Sequence, residues 1–149
     1  MYIISACLLG EKVRYDGNDN LVPWVAELAK NHSYCAVCPE MLGGLSCPRL
    51  PAEILRGRVV DREGTDVTEE FEIGAHLALE KVLEKAEQLD EPIEAAILKA
   101  RSPSCGKDKI YDGSFTETLR SGNGIFAALL KEKNVKTTQI GRASCRERV

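Results

Sequence analysis

Three short apolar runs, each delivering a cysteine just past its end, set the pattern of this chain. Tyr2-Ile3-Ile4-Ser5-Ala6 runs into Cys7, Tyr34 to Val37 runs into Cys38, and Ala95-Ala96-Ile97-Leu98-Lys99 leads through Arg101-Ser102-Pro103-Ser104 to Cys105. Runs of this length, bounded by turn residues, predict buried strands. Between them the period lengthens. Leu21, Val22, Val25, Leu28 and Ala29 recur at helical spacing, with Asn20 placed to cap and Pro23 tolerated in the first turn. Asp66-Val67-Thr68-Glu69 predicts a capping box, and Val67, Phe71, Gly74, Ala75, Ala78, Val82, Leu83 and Ala86 form one apolar stripe on the helix that follows. Ile54 to Val60, interrupted by Gly57, predicts a small hairpin, and prolines 48 and 51 keep the stretch before it extended. An apolar helix is expected from Ile125 to Lys131 and a last strand from Val135 to Thr138. Strands alternating with helices predict a three-layer, Rossmann-like α/β domain with a mainly parallel sheet.

In such a sheet the carboxyl ends of neighbouring strands share an edge, where open α/β folds keep their chemistry. If the three cysteine-bearing strands are parallel and adjacent, Cys7, Cys38 and Cys105 meet there despite their separation in sequence. Cys38-Pro39-Glu40 followed by Gly43-Gly44 adds a carboxylate at the same edge. Arg14, Tyr15 and Asp16 leave that edge too, and either line a ligand pocket or form a surface connection. Arg49 lies in a proline-rich loop and suits a carboxylate or phosphate, if it is not simply solvated. The Gly-rich entry Ser121-Gly122-Asn123-Gly124 reads as an anion-binding helix start or, more simply, as a loop with a cap. His32 and His76, the only histidines, sit beside no thiol and read as structural or surface residues.

Composition narrows the function. A chain of 149 residues with 44% hydrophobic and 29% charged positions suits one soluble domain. A net charge of -3 offers no basic footprint for a long nucleic acid, although a nucleotide-sized ligand stays open. No apolar run approaches the length of a membrane span and the start does not read as a signal peptide, so a cytoplasmic location is expected. There the six cysteines are more readily thiols or metal ligands than disulfides. Residues 139–149 lack apolar periodicity and look like the translation of a DNA sequencing adapter, so the domain is expected to span 1–138 and Cys145 is set aside with the tail.

Cys35 and Cys38 have zinc-like spacing, and with Cys47 and Cys105 they would complete a structural zinc set. Yet positions 35 and 38 of one strand point to opposite faces, so Cys35 reads as a core thiol and Cys47 as a buried neighbour. The set Cys7, Cys38 and Cys105 has another meaning. Three thiolates on a 4Fe-4S cube leave one iron without a protein ligand, a thiophilic Lewis acid for an incoming sulfur. Glu40 is then placed to move a proton or activate water, or else merely caps a helix turn. A sulfur carrier or cluster scaffold would need the same thiols but not Glu40. Plain buried cysteines are the remaining reading.

At these residues the chain resembles a known family. Ser5-Ala6-Cys7-Leu8-Leu9-Gly10, Arg14-Tyr15-Asp16-Gly17, Val37-Cys38-Pro39-Glu40, Gly43-Gly44, Pro48-Arg49, Pro51-Ala52-Glu53, Asp66-Val67-Thr68, Ile97-Leu98-Lys99, Arg101 to Gly106, Tyr111-Asp112-Gly113 and the Gly-Ile-Phe-Ala-Ala-Leu-Leu helix match, in order, the small bacterial domain associated with thiouracil desulfidases. The resemblance implies an oxygen-sensitive 4Fe-4S cluster on Cys7, Cys38 and Cys105 with one open iron. It also implies exchange of a thiocarbonyl sulfur for oxygen in thiouracil-type bases or their nucleotides, with release of hydrogen sulfide and no net redox change. Glu40 would act on water, and Ser102 and Ser104, which flank Cys105, would orient the base or shuttle a proton, Ser102 being favoured. Tyr15, Asp16, Gly43, Gly44, Arg49 and Ser104 are the positions expected to bind substrate.

Overall fold

The computed structural model describes residues 1–140. Strand β1 (Tyr2–Ser5) runs into a 3-10 turn (Ala6–Leu9), followed by α1 (Pro23–Asn31), β2 (Tyr34–Val37) and a one-turn helix α2 (Pro39–Leu42). The hairpin of β3 (Ala52–Leu55) and β4 (Arg58–Asp61) comes next, then the long helix α3 (Thr68–Leu89) and β5 (Ala95–Lys99). A second small antiparallel pair, β6 (Lys109–Tyr111) and β7 (Leu119–Ser121), precedes α4 (Ile125–Glu132) and β8 (Thr137–Ile140). Four strands form one sheet in the order β2-β1-β5-β8, and every pairing in it is parallel.

Strand alternation decides which helix covers which face. Ile3, Cys35, Val37, Ala96 and Leu98 point to one side, where they pack on Ala75, Ala78, Leu79 and Val82 of α3 and on Phe126, Ala127 and Leu130 of α4. Ile4, Ile97 and Ile140 point to the other, against Val22, Val25 and Leu28 around α1. The result is the expected three-layer α/β domain. A third, smaller cluster of Ile54, Val59, Val67, Phe71 and Ile110 seats the β3–β4 hairpin on α3. Among the described residues no helix is long and apolar enough to cross a membrane.

The structure revises several local expectations. Leu83 is 51% exposed, and Leu79 fills the apolar stripe in its place because it lies one turn back on the sheet-facing side. Asn20 does not cap α1, which starts three residues later at Pro23. Asp66 caps α3 from just outside, its Oδ1 accepting from the Thr68 N–H at 2.9 Å and its Oδ2 bonding Arg58 Nε at 2.9 Å. The last strand continues through Gln139 and Ile140, with Ile140 fully buried opposite Lys99. The boundary drawn at 138 therefore cuts the sheet two residues early, since a buried partner of β5 belongs to the core. The remainder of the expected tail, residues 141–149, lies outside the described residues.

Helix α2 is seated by a close backbone approach to α3. Gly43 and Gly74 face each other where α2 crosses α3. A Cβ on Gly74 would overlap the carbonyl oxygen of Pro39, and one on Gly43 that of Glu70. Only residues without a Cβ permit this approach, and it fixes the turn that carries Glu40.

Candidate active site

The chain leaves β1 toward β2 on one side and returns through β5 on the other, so strand order reverses at β1. A crevice opens at such a reversal, beyond the carboxyl ends of the strands. Cys7 stands in the turn after β1, Cys38 between β2 and α2, and Cys105 in the loop after β5. All three line one cavity of about 430 Å³. Burial pushes the Cys105 thiol up to about 12 and that of Cys38 to about 11, and it raises Cys7 as well. Among the described residues no three His, Cys, Asp or Glu side chains converge on a point that would hold one metal ion. The three thiols share the lining of that cavity. Cys35 is buried in the core, as strand alternation requires, and Cys47 turns to the Lys12 and Arg14 carbonyls at 3.2 and 3.4 Å outside the cavity.

Glu40 follows Cys38 by two residues, on the first turn of α2, and its carboxylate is held from both ends. Arg49 Nε and Nη2 each reach Oε1 at 3.0 Å, and the Ser104 hydroxyl donates to Oε2 at 3.0 Å. The pair is largely enclosed, with the Arg49 side chain 8% and that of Glu40 16% exposed. Arg49 spends its remaining donors on the Val13 carbonyl (2.9 Å), the Ser46 carbonyl (3.2 Å) and the Met41 sulfur (3.5 Å). A guanidinium has five N–H groups, and here protein atoms occupy them all. Arg49 therefore orients the Glu40 carboxylate, and it has no donor left over to read an anionic group of a substrate as its loop position suggested.

The two serines beside Cys105 divide their work. Ser102 Oγ accepts from the Ser104 and Cys105 backbone N–H groups, both at 3.0 Å, which closes the cysteine loop. Its hydroxyl lies 2.9 Å from Ser104 Oγ. With both acceptor positions of Ser102 filled, its one proton goes to Ser104, whose proton in turn goes to Glu40. Ser104, not the favoured Ser102, is thus the residue in contact with the carboxylate. The start of α4 clamps this loop from behind: the Phe126 and Ala127 N–H groups donate to the Ser104 carbonyl at 2.9 and 3.0 Å, and Ile125 N–H to that of Pro103 at 2.8 Å. The glycine-rich entry before α4 is accordingly neither an anion site nor a loose loop. A Cβ on Gly124 would come within 2.6 Å of the Ser104 carbonyl oxygen, so its job is close approach.

Other expected positions separate by location. Tyr15 lines the cavity, whereas Asp16 stands outside it and pairs with Arg14 Nη2 at 3.2 Å. Gly43 and Gly44 do not reach the cavity, and Gly43 belongs to the crossing with α3. Several wall residues had no sequence signal strong enough to single them out. Asn20 donates its amide to the Cys7 sulfur at 3.5 Å. Lys99, at the charged end of an otherwise apolar strand, lines the cavity beside it. The buried Glu53 carboxylate accepts from the Gly113 and Phe115 N–H groups at 3.0 and 3.1 Å, which brings the turn carrying Phe115 and Glu117 to the cavity wall. A charge in the apolar β3 was the available hint.

The family model for 2-thiouracil desulfurase matches residues 2–140, essentially every described residue. The chain belongs to the 2-thiouracil desulfurase family. Within the reach of that family, it is 38% identical over 142 residues to the uncharacterized protein YbbK of Bacillus subtilis (strain 168), an alignment that covers 89% of this chain and 90% of YbbK. It also superposes on the solved structure of the [4Fe-4S]-dependent thiouracil desulfidase TudS with a TM-score of 0.82, at 41% identity, across 93% of this chain and 89% of that one.

Proposed function

We propose that this protein is a desulfidase of thiouracil-type bases or their nucleotides, and that Cys7, Cys38 and Cys105 hold a 4Fe-4S cluster with one open iron. The observation that carries the reading is the shared cavity: the three thiols and a carboxylate gripped by Arg49 and Ser104 line the same space. The net reaction exchanges a C=S bond for C=O, consuming one water and releasing one hydrogen sulfide, with no electron gained or lost. When bound, such a cluster supplies a thiophilic Lewis acid that holds the thiocarbonyl sulfur and withdraws electron density from its carbon.

The chain's own residues do the rest. Arg49 holds the Glu40 carboxylate in place, where it takes a proton from water as that water attacks the thiocarbonyl carbon. Ser104 holds the second carboxylate oxygen, with Ser102 donating to Ser104 behind it, and Glu40 returns its proton to the departing sulfide. Tyr15, Tyr111 and Phe115 wall the cavity with rings suited to a flat heterocycle. A carrier or scaffold would make no use of the Arg49, Glu40 and Ser104 arrangement.

The test is anaerobic reconstitution with iron and sulfide. The full chain is expected to turn brown and then to release sulfide from thiouracil or a thiouridine nucleotide with no second protein present. Replacing Cys7, Cys38 or Cys105 with serine abolishes the colour, whereas Cys35→Ser and Cys47→Ser retain it. A colourless wild-type chain, or a brown one that frees sulfide only when a partner is added, overturns the proposal.

A pH dependence follows from burial. The thiolate is the ligand form, yet Cys38 and Cys105 have pKa values of about 11 and 12 before loading, so loading releases protons. Reconstitution is expected to accelerate as pH rises from neutrality toward the Cys38 value, followed as growth of visible absorbance. A rate flat across that range contradicts protonated thiols in the unloaded protein.

A further inference from the structure

The Cys7 side of the cavity differs from the rest in the groups set around its sulfur. Asn20 Nδ2 donates to Sγ at 3.5 Å. Its amide cannot flip, because Oδ1 accepts from Arg14 Nη1 at 3.0 Å and Arg14 is itself held by Asp16 at 3.2 Å. The Asn20 backbone N–H also bonds the Cys7 carbonyl at 2.9 Å, so the amide rides on the same turn as the sulfur.

Lys99 approaches from the neighbouring strand. Ile4 pairs with Ile97, which sets Lys99, two residues on, beside the start of the Cys7 turn, and its backbone N–H bonds Ser5 Oγ at 3.0 Å. Its Nζ is anchored to one neutral acceptor, the Ala100 carbonyl at 2.9 Å, and none of the ion pairs found among the described residues includes it. Burial lowers its pKa, the Cys7 and Cys105 sulfurs act in the opposite sense, and the Arg14 and Arg101 guanidiniums add to the lowering. A half-buried ammonium at a cavity wall without a carboxylate partner is costly unless an anion arrives there.

We propose that Asn20 and Lys99 are positioning residues for the cluster: the amide N–H and the ammonium together offset the negative charge that the thiolates bring into the cavity. The inference rests on the cluster assignment above and goes beyond it, since it concerns what holds and tunes the centre rather than what ligates it. Hydrogen bonds to sulfur and nearby net charge set both the retention and the reduction potential of iron–sulfur centres.

The test uses the anaerobically reconstituted full chain and its Lys99→Met, Lys99→Arg and Asn20→Ala variants. Two quantities are read: iron release to a chelator, and the midpoint potential from a titration followed by electron paramagnetic resonance. Lys99→Met and Asn20→Ala are each expected to weaken iron retention by about 10–100-fold, the usual cost of losing a partner behind a metal ligand. Both should also shift the midpoint to more negative values, because the reduced centre carries more negative charge. Lys99→Arg, which keeps the charge, should stay near wild type in both readings. Iron release and potential unchanged in Lys99→Met and Asn20→Ala overturn the proposal while leaving the cluster assignment intact. So does a Lys99→Arg protein that behaves like Lys99→Met, since packing rather than charge would then be at stake. A wild-type chain that takes up no cluster brings down both readings. Should Lys99→Met fail to fold, Asn20→Ala alone decides, because Asn20 lies in a loop outside the sheet.

Discussion

Glu40→Gln is expected to lower sulfide release by about 10²–10⁴-fold, the range spanned by loss of a positioned general base. The substitution keeps the size of the side chain, and its carbonyl oxygen can still accept from Arg49, so α2 and Cys38 stay in place. What disappears is the basic oxygen. The amide nitrogen now faces Ser104, whose hydroxyl has to become the acceptor there and loses its role as donor to the carboxylate. Some stability goes too, on the order of 1–3 kcal/mol, because a largely buried guanidinium is left without a counter-charge. Iron and sulfide counts per chain should match wild type while turnover collapses, which separates a chemical role from a ligand or folding role. A loaded Glu40→Gln protein that turns over at the wild-type rate removes the carboxylate from the mechanism.

Gly74→Ala reaches the same site through the crossing of α3 with α2. The added methyl would overlap the Pro39 carbonyl oxygen, backbone against which no rotamer offers relief. Helix α2 must lift away from α3, and Glu40 is the next residue after Pro39. Overpacking in a well-packed interior costs about 1–3 kcal/mol and more where backbone must move. For a chain of this length each kcal/mol lowers the melting temperature by about 2–4 °C. The expected result is a clear drop in melting temperature together with weakened cluster retention, since Cys38 immediately precedes the displaced helix. Ile73→Ala offers the contrast, being one residue away but 46% exposed, and should leave both readings near wild type. If Gly74→Ala melts and loads like wild type, the close crossing does not position the site.

Much of the architecture was legible because it is written in short-range periodicity. Apolar runs of four or five residues separated by amphipathic segments admit few arrangements other than parallel strands with helices on both faces. Once the strands carrying Cys7, Cys38 and Cys105 are adjacent, their ends must share an edge. Alternation along β2 likewise separates Cys35 from Cys38. Boundaries were read less well. Asn20 has the composition of a cap and serves a sulfur instead, because a turn of chain between Gly10 and Val22 brings it back over Cys7. Leu83 fits the helical stripe by spacing but faces water, because the sheet and α4 cover a narrower strip of α3 than the stripe implies.

By itself, then, the order of residues determined the layered fold, the three thiols and the carboxylate that follows the second of them. Folding decided the partnerships. Ser104 meets Glu40 across 64 positions, and Lys99 meets Ser5 across 94. Arg49 turns inward to a carboxylate only because the loop carrying it lies against Val13 and Tyr15. Local periodicity records which face of an element is buried, and that is a property of a few neighbouring residues. Which donor meets which acceptor depends on how separate elements dock to within a few tenths of an ångström, and only the packed interior holds that information.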